Sequence, residues 1–375
     1  MKGSIVFVPS NENHVEIFWS ICKHMEDYRP VFVSQGSLKD EGADSAMWRL
    51  GIGFVELADY GGDPAEVLRK EGAGAVVVAN DTDVVPQWFV NCAKEAGIPS
   101  VLVQDGILFD FKAADGLPVA MRTSSPKLLF TAMRLRARGK YRKVPYGGAG
   151  CTKILVWGQS SKSYLASKGI DEKNMTITGS PTMYAARNSK QDADRRAVLY
   201  IPTDLVHGNI VNASRARKIV EDACSAILSG NTKLTVKPHP REDSTFYEHL
   251  SDKYGNSLTV SYDNVYELMA KSGIVVTDIS TTAAEALAMG KQVIIFLPGL
   301  EEIVVQSSFP RNLISENAVL YAGDEEELRR QIIGLLDGTH HTSRQAAEEM
   351  AESYFGPPEM NPPASAAEAI KSVLR

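Results

Sequence analysis

The stretch IVVTDISTTAAEALAMGKQVIIF, residues 274–296, decides the fold class of this chain. An apolar, β-branched run leads into a hydroxyl-rich turn, then a helical run, and then a second apolar run. Strands that are apolar at nearly every position are covered on both faces, which is typical of parallel sheets packed between helices. The stretch is therefore predicted to be a strand–helix–strand unit of an α/β domain.

The same alternation of strand and helix runs through the whole chain. The predicted strands are Ile5–Val8, Pro30–Ser34, Ala75–Ala79, Pro99–Gln104, Lys153–Trp157, Met175–Thr178, Ala197–Ile201, Lys233–Lys237, Leu258–Val260, Ile274–Thr277, Gln292–Phe296 and Val319–Tyr321. The predicted helices include Val15–Glu26, Val85–Ala96, Ala213–Leu228, Val265–Lys271, Thr282–Met289 and Glu325–Leu336. Since one doubly wound sheet rarely needs so many strands, we expect two Rossmann-like α/β domains facing each other across a cleft.

The length of 375 residues also favours two domains. We place the break at Gly179–Lys190, which gives an N-terminal acceptor domain over residues 1–182, with a basic insertion at 107–150. A nucleotide-donor domain is expected over residues 183–363. Residues 364–375 are predicted to form a helix that packs back on the N-terminal domain.

The composition describes an ordinary globular protein, with 44% apolar and 23% charged residues. A net charge of −6 argues against a nucleic-acid binder. The four cysteines have no paired spacing, which suits reduced thiols in a cytosol. No apolar run approaches the roughly 20 residues of a membrane-spanning helix. We therefore expect a cytoplasmic protein, with any membrane contact peripheral and at the inner face of the cell membrane.

Ligands of open parallel sheets bind beyond the carboxyl ends of the strands, so functional residues are expected directly after each strand. Four such segments carry polar or charged side chains. They are Leu199–Thr203, Lys237-Pro238-His239-Pro240, Thr277–Thr282 and Gln104-Asp105-Gly106.

The segment Thr277–Thr282 runs into a helix, and free backbone N–H groups with nearby hydroxyls can bind a diphosphate. Its alternative interpretation is a capping box between Thr282 and Glu285, which would only stabilise the helix. His239 can donate a hydrogen bond to a phosphate or protonate a leaving group. The alternative for His239 is an ordinary loop or core histidine. The alternative for the neighbouring Lys237 is a solvated side chain at the end of a strand.

Asp105 follows an apolar strand and precedes a glycine. A carboxylate at this edge can take the proton of an acceptor hydroxyl as a general base. Since Asp-Gly is also a common turn sequence, a purely structural role is the alternative.

Together, Tyr-x-Pro-Thr, Lys-Pro-His-Pro, Asp-x-Ser-Thr-Thr and Glu-Ala-x-x-x-Gly-Lys, over roughly residues 100–297, resemble the donor half of a GT-B transferase. The pattern is most similar to CDP-glycerol glycerophosphotransferases and to bacterial sialyltransferases and polysialyltransferases. The resemblance implies a transferase for cell-surface glycan or glycolipid synthesis, with no cofactor and no metal. It implies a CDP-, CMP- or UDP-linked donor and a glycan or lipid-linked acceptor.

The resemblance also implies roles for Asp105, His239, Ser280, Thr281, Thr282 and Glu285, and the other candidates are assigned from their charge or their place after a strand. Asp105 and His239 are the catalytic candidates. The donor would be bound by Thr203, Lys237, His239, Ser280, Thr281, Thr282 and Glu285, the last on the ribose hydroxyls. The acceptor would be bound by Gly106, Arg134, Arg136 and Arg138.

Two departures leave the donor open. Asp204 and Leu205 stand where glycerophosphotransferases usually place an aromatic residue and an arginine, and Gln104 replaces the first acid of the sialyltransferase pair. A UDP-N-acetylglucosamine 2-epimerase is the second hypothesis, although the His-x-Glu-x-Gly segment of that group is only partly matched at residues 103–106. A non-catalytic sugar-nucleotide binding module is the third.

A basic segment at residues 112–143 has nine lysines and arginines against one acid, Asp115. Apolar residues lie among them, and such a basic amphipathic stretch can bind an anionic membrane surface. A basic lid over an anionic ligand and a solvated insertion are the alternatives.

Overall fold

The computed structural model describes residues 3–38, 42–109, 126–189, 192–206, 210–239 and 242–374. Within these ranges the strands are β1 (Ser4–Val8), β2 (Arg29–Ser34), β3 (Phe54–Glu56), β4 (Ala73–Val78), β5 (Ser100–Val103), β6 (Lys153–Val156), β7 (Met175–Ile177), β8 (Asp194–Ile201), β9 (Lys233–Val236), β10 (Leu258–Val260), β11 (Ser272–Thr277), β12 (Gln292–Phe296) and β13 (Leu320–Ala322).

The helices alternate with these strands. They are α1 (Glu12–Cys22), α2 (Ala43–Arg49), α3 (Pro64–Lys70), α4 (Val84–Glu95), α5 (Pro126–Ala137), α6 (Gln159–Ser167), α7 (Pro181–Asn188), α8 (Ala213–Leu228), α9 (Ser244–Tyr254), α10 (Val265–Lys271), α11 (Thr282–Ala288), α12 (Glu301–Gln306), α13 (Ser308–Ser315), α14 (Glu325–Asp337), α15 (Arg344–Phe355) and α16 (Pro362–Lys371). No helix among the described residues is both long and apolar enough to span a membrane.

The described chain divides into two compact units. The first contains the chain up to Leu108, the segment ending at Tyr184, and the chain from Phe355 onward, and the second contains Ala185–Tyr354 together with Phe109. The expected break after residue 182 lies close to this division. The expected boundary at residue 363 is too late, because the carbonyl of Phe355 already accepts a hydrogen bond from the N–H of Ser180 in the first unit.

The first unit is built on a seven-stranded sheet with the order β3-β2-β1-β4-β5-β6-β7, in which every pairing is parallel. The central strands β1, β4, β5 and β6 are largely buried, as their continuous apolar sequences predict, whereas the edge strands β3 and β7 are only partly buried. The C-terminal helix α16 packs on α1, where Ala366 and Ile370 join the core formed by Val15 and Phe18.

The second unit is built on a six-stranded parallel sheet with the order β10-β9-β8-β11-β12-β13. Helix α8 covers one face through Ile219, Val220 and Ile227. Its N-cap is Asn212, whose side chain accepts from the N–H of Arg215. Because the chain adds strands on one side of β8 and then on the other, the sheet has its topological switch point between β8 and β11.

The basic insertion is partly integrated into the first unit. Residues 110–125 lie outside the described residues, but the chain after α5 returns to the core. There the buried Asp81 carboxylate accepts hydrogen bonds from the N–H groups of Gly147 and Ala149, both at 2.9 Å. The end of the expected insertion, at Gly147 and Ala149, is therefore anchored in the first unit.

Candidate functional site

The polar segments of the second unit follow three neighbouring strands. Since β9, β8 and β11 lie side by side in parallel, Lys237, Thr203 and Asp278 emerge at the same edge of the sheet. The N–H of Thr203 donates to Asp278 Oδ2 at 2.8 Å, and the Thr203 hydroxyl donates to Oδ1. The two strand ends at the switch point are thus tied together by one carboxylate.

Asp278 is 1% exposed, and burial raises its pKa to about 6, although the two hydrogen bonds from Thr203 act in the opposite direction. The hydroxyl of Thr203 donates its proton to Asp278 and not to a ligand. Thr203, which the sequence suggested as a donor-binding residue, therefore has a structural role that its sequence motif did not predict.

The hydroxyl-rich turn leads into α11, and its side chains bond to one another. The hydroxyls of Ser280 and Thr282 are 2.6 Å apart, and the N–H of Thr282 donates to Ser280 Oγ at 3.3 Å. The capping box that was the alternative interpretation is absent, because the residue at the N-cap is Thr281 and its side chain makes no capping hydrogen bond. The Glu285 side chain instead accepts from Tyr266, and burial raises the pKa of Glu285 to about 7.

His239 lies on the loop that follows β9 and is held by its backbone. Its N–H donates to Glu242 Oε2 at 3.0 Å, and the same oxygen accepts from the Tyr247 hydroxyl at 2.8 Å. The ring remains one-third exposed, with Nδ1 4.0 Å from Asp204 Oδ2. Burial lowers the pKa of the neighbouring Lys237. Pro240, the last residue of the motif, lies outside the described residues.

Asp105 lies in the first unit, directly after β5, and it has a partner that sequence reasoning missed. Its Oδ2 is 2.7 Å from Nε2 of His14, whose side chain is 1% exposed, while the Asp105 side chain is 24% exposed. The Asp105 carbonyl accepts from Asn13 Nδ2 at 3.2 Å. Because His14 is in the first turn of α1, after β1, its place beyond a strand end was the signal that could have identified it.

Gln104 acts as a structural clamp beside Asp105. Its Nε2 donates to the carbonyl of Gly106 at 2.7 Å and to Ser161 Oγ at 2.8 Å, and its Oε1 accepts from the N–H of Trp157 at 2.8 Å. The residue that replaces an acid of the sialyltransferase pair thus fixes the turn that carries Asp105 and Gly106.

The first unit also contains a cavity of about 450 Å³ between α4, α5 and the residue that follows β2. Leu128, Ala132 and Met133 form an apolar wall, and Arg136 and Lys143 add positive charge. Arg134 and Arg138 are exposed near the end of α5. Lys112 and Arg122, also part of the basic segment, lie outside the described residues.

Among the described residues, no group of three or more His, Cys, Asp or Glu side chains is placed to hold a metal ion. The four cysteines are unpaired.

Residues 159–348, slightly more than half of the chain, match the model of the family described as CDP-Glycerol:Poly(glycerophosphate) glycerophosphotransferase. The chain belongs to this family. It is accordingly a nucleotide-donor transferase, which replaces the hypothesis of a non-catalytic module. The match contains the donor-side segments and begins after Asp105. No protein with a curated description matches the chain.

Three solved structures show the same fold. A variant of the wall teichoic acid polymerase TagF soaked with CDPG is 15% identical, with a TM-score of 0.57 over 100% of this chain and 88% of that one. Anabaena Alr3699/HepE, in complex with UDP and glucose, is 14% identical, with a TM-score of 0.53 over 100% and 99%. The UDP-GlcNAc 2-epimerase of Methanocaldococcus jannaschii is 15% identical, with a TM-score of 0.57 over 100% and 99%. The chain therefore has the expected GT-B fold, with two Rossmann-like α/β domains.

The raised pKa of Asp278 predicts a pH-dependent stability of the second unit. Between its ordinary value of 3.8 and the folded value of about 6, the folded state binds more protons than the unfolded state, so stability falls as pH rises. Asp278→Asn removes this dependence, and its amide can still bond both groups of Thr203. Between about pH 4 and pH 6, we expect the free energy of unfolding of the variant to rise relative to that of the wild type by up to roughly 3 kcal/mol.

Urea unfolding followed by far-ultraviolet circular dichroism measures the effect. Tryptophan fluorescence is the internal control, because all four tryptophans, Trp19, Trp48, Trp88 and Trp157, lie in the first unit. An identical pH dependence in the two proteins would contradict the raised pKa of the buried Asp278.

Proposed function

We propose that the protein transfers a sugar or a glycerophosphate-like group from a CDP-, CMP- or UDP-linked donor to a hydroxyl of a glycan or lipid-linked acceptor. The reaction serves the synthesis of a cell-surface polymer. The observation that carries the proposal is the sheet edge of the second unit, inside the family match. There a basic loop follows β9 and a hydroxyl-rich turn follows β11, with β8 between the two strands. The epimerase hypothesis has only the shared fold in its favour.

The donor diphosphate would be held by side chains from the ends of two strands. Lys237 and the exposed ring of His239 supply positive charge and a hydrogen-bond donor, and Ser280, Thr281 and Thr282 supply hydroxyls and the N–H groups that begin α11. Glu285 would accept hydrogen bonds from the ribose hydroxyls. Thr203 supports this site indirectly by bonding Asp278.

Asp105 would act as the general base. The acceptor oxygen attacks the phosphorus or anomeric carbon of the donor as its proton passes to Asp105. The bond from that centre to the nucleotide breaks, and the nucleotide leaves with the electron pair while His239 stabilises its phosphate. Gly106 leaves the backbone beside Asp105 free of a side chain, and Arg134, Arg136 and Arg138 would attract an anionic acceptor.

Asp105→Asn tests the base. The amide keeps the size of the side chain, and its oxygen can still accept from His14, so the fold is retained. We expect turnover to fall by about 10²–10⁴-fold, the usual contribution of a general base. The donor is first chosen by thermal shift among CDP-glycerol, CMP-sialic acid and UDP-sugars, and nucleotide release is then measured.

The exposed Asp59→Asn in the same unit serves as the matched control and is expected to keep wild-type turnover. Retention of more than about a tenth of wild-type turnover by Asp105→Asn would exclude the base role.

The basic segment is proposed to bind the anionic inner face of the cell membrane, where a lipid-linked acceptor would be found. Helix α5 exposes Leu129, Phe130 and Met133, which are 57%, 68% and 66% exposed, and it has Arg134 and Arg136 in its last turn. Apolar side chains that enter the lipid boundary beside arginines at the headgroups are typical of an interfacial helix.

Vesicle sedimentation tests this surface. The wild type is expected to bind phosphatidylglycerol vesicles at low salt and to dissociate as salt rises, because the Debye length falls from about 10 Å at 0.1 M to 3 Å at 1 M. Replacement of Arg134, Arg136 and Arg138 by serine should abolish binding, whereas Trp48→Ser, which removes a 74% exposed side chain from α2, should not. If the wild type does not sediment with these vesicles even at low salt, the proposal that the basic segment binds a membrane is wrong.

A further inference from the structure

His14 is a buried histidine whose two ring nitrogens both have partners. Nδ1 lies 3.1 Å from the backbone nitrogen of Ser10, and Nε2 lies 2.7 Å from Asp105 Oδ2. A backbone N–H can only donate, so Nδ1 accepts and carries no proton. The one proton of the neutral imidazole must then be on Nε2.

Among the residues that the structure describes, this proton has one acceptor within reach. Asn11 Nδ2 is 3.2 Å from Nε2, but it carries hydrogens of its own, since the Asn11 oxygen accepts from the N–H of His14 at 2.9 Å. Nε2–H therefore donates to Asp105 Oδ2. The resulting bond joins the start of α1 to the end of β5, across 91 residues of sequence.

The tautomer is set by a further layer of bonds. Nε2 of Gln35 donates to the carbonyl of Pro9 at 2.7 Å and to Ser10 Oγ at 3.2 Å, which fixes the backbone that presents the Ser10 N–H to His14. Gln35 and His14 are both at least 95% buried, so this arrangement is shielded from solvent. A histidine held in this way keeps Nε2 directed at the carboxylate of Asp105.

We propose that His14 is the positioning residue of the transferase site, which rests on the proposed role of Asp105 as the base. Its Nε2–H holds Oδ2 of Asp105, and Oδ1, which has no hydrogen-bond partner among the described residues, takes the acceptor proton. His14 touches neither substrate. Loss of its bond would let the carboxylate rotate, and a misplacement of about 1 Å can cost about 10²-fold in rate.

The first test needs neither donor nor acceptor. Long-range ¹H–¹⁵N spectra of the imidazoles at pH 7, with the His14 signals identified from their loss in His14→Gln, are expected to show a neutral ring with the proton on Nε2. That proton should shift in Asp105→Asn, whereas the exposed His249→Gln should leave it in place. A proton on Nδ1, or on both nitrogens, would overturn the proposal.

The second test measures nucleotide release with CDP-glycerol as donor and poly(glycerophosphate) as acceptor. His14→Leu is expected to lower kcat by about 10²-fold at an unchanged KM for the donor. His14→Gln should recover activity to within a few-fold, because its Nε2 can donate where the imidazole did, and adding His14→Leu to Asp105→Asn should cause little further loss.

The outcomes separate the two proposals. If Asp105→Asn loses turnover and His14→Leu does not, only the role of His14 fails. If Asp105→Asn keeps turnover, the base itself is wrong. If the wild type releases no CMP, this donor pair is wrong, and the spectra alone decide whether His14 holds Asp105.

Discussion

The parallel pairing of β8 with β11 is the constraint on which the second unit depends. It brings the residues after two strands, 75 positions apart in sequence, within hydrogen-bond distance, and Asp278 closes the gap by accepting twice from Thr203. The cost of burying that carboxylate is visible in its raised pKa. With this junction fixed, the loop after β9 and the turn before α11 lie at the same edge, as a site for a diphosphate requires.

In the first unit, too, the functional candidates follow the ends of parallel strands, but their side chains are of a different kind. There the buried His14 bonds the carboxylate of Asp105, and Gln104 fixes the turn that carries Asp105 by bonding the Gly106 carbonyl. One unit thus offers hydroxyls and positive charge, and the other offers an oriented carboxylate. The shared GT-B fold of polymerases and epimerases does not distinguish between reactions, so these side chains carry the functional argument.

Much of the fold was predictable because a continuous apolar run identifies a strand of a parallel sheet from local sequence alone. All of the predicted strands are present, whereas the three-residue strand β3 at the sheet edge was missed, since Phe54–Glu56 has too little apolar sequence to stand out. Thr282 and Glu285 fit a capping box in sequence, but Glu285 bonds Tyr266 on another helix, which no local pattern contains. His14 follows a strand end, but its pairing with Asp105 was missed because the two residues are 91 positions apart.

The central claim, that the second unit binds a nucleotide diphosphate at this sheet edge, is tested most directly by calorimetry. CDP, UDP and GDP are titrated into the wild type, and the tightest of them is then titrated into His239→Ala and into the surface control His249→Ala. Loss of a hydrogen bond to a charged group should weaken binding by about 1.5–3 kcal/mol, or roughly 10–150-fold, in the first variant only. Equal affinity in His239→Ala and the wild type would contradict the account.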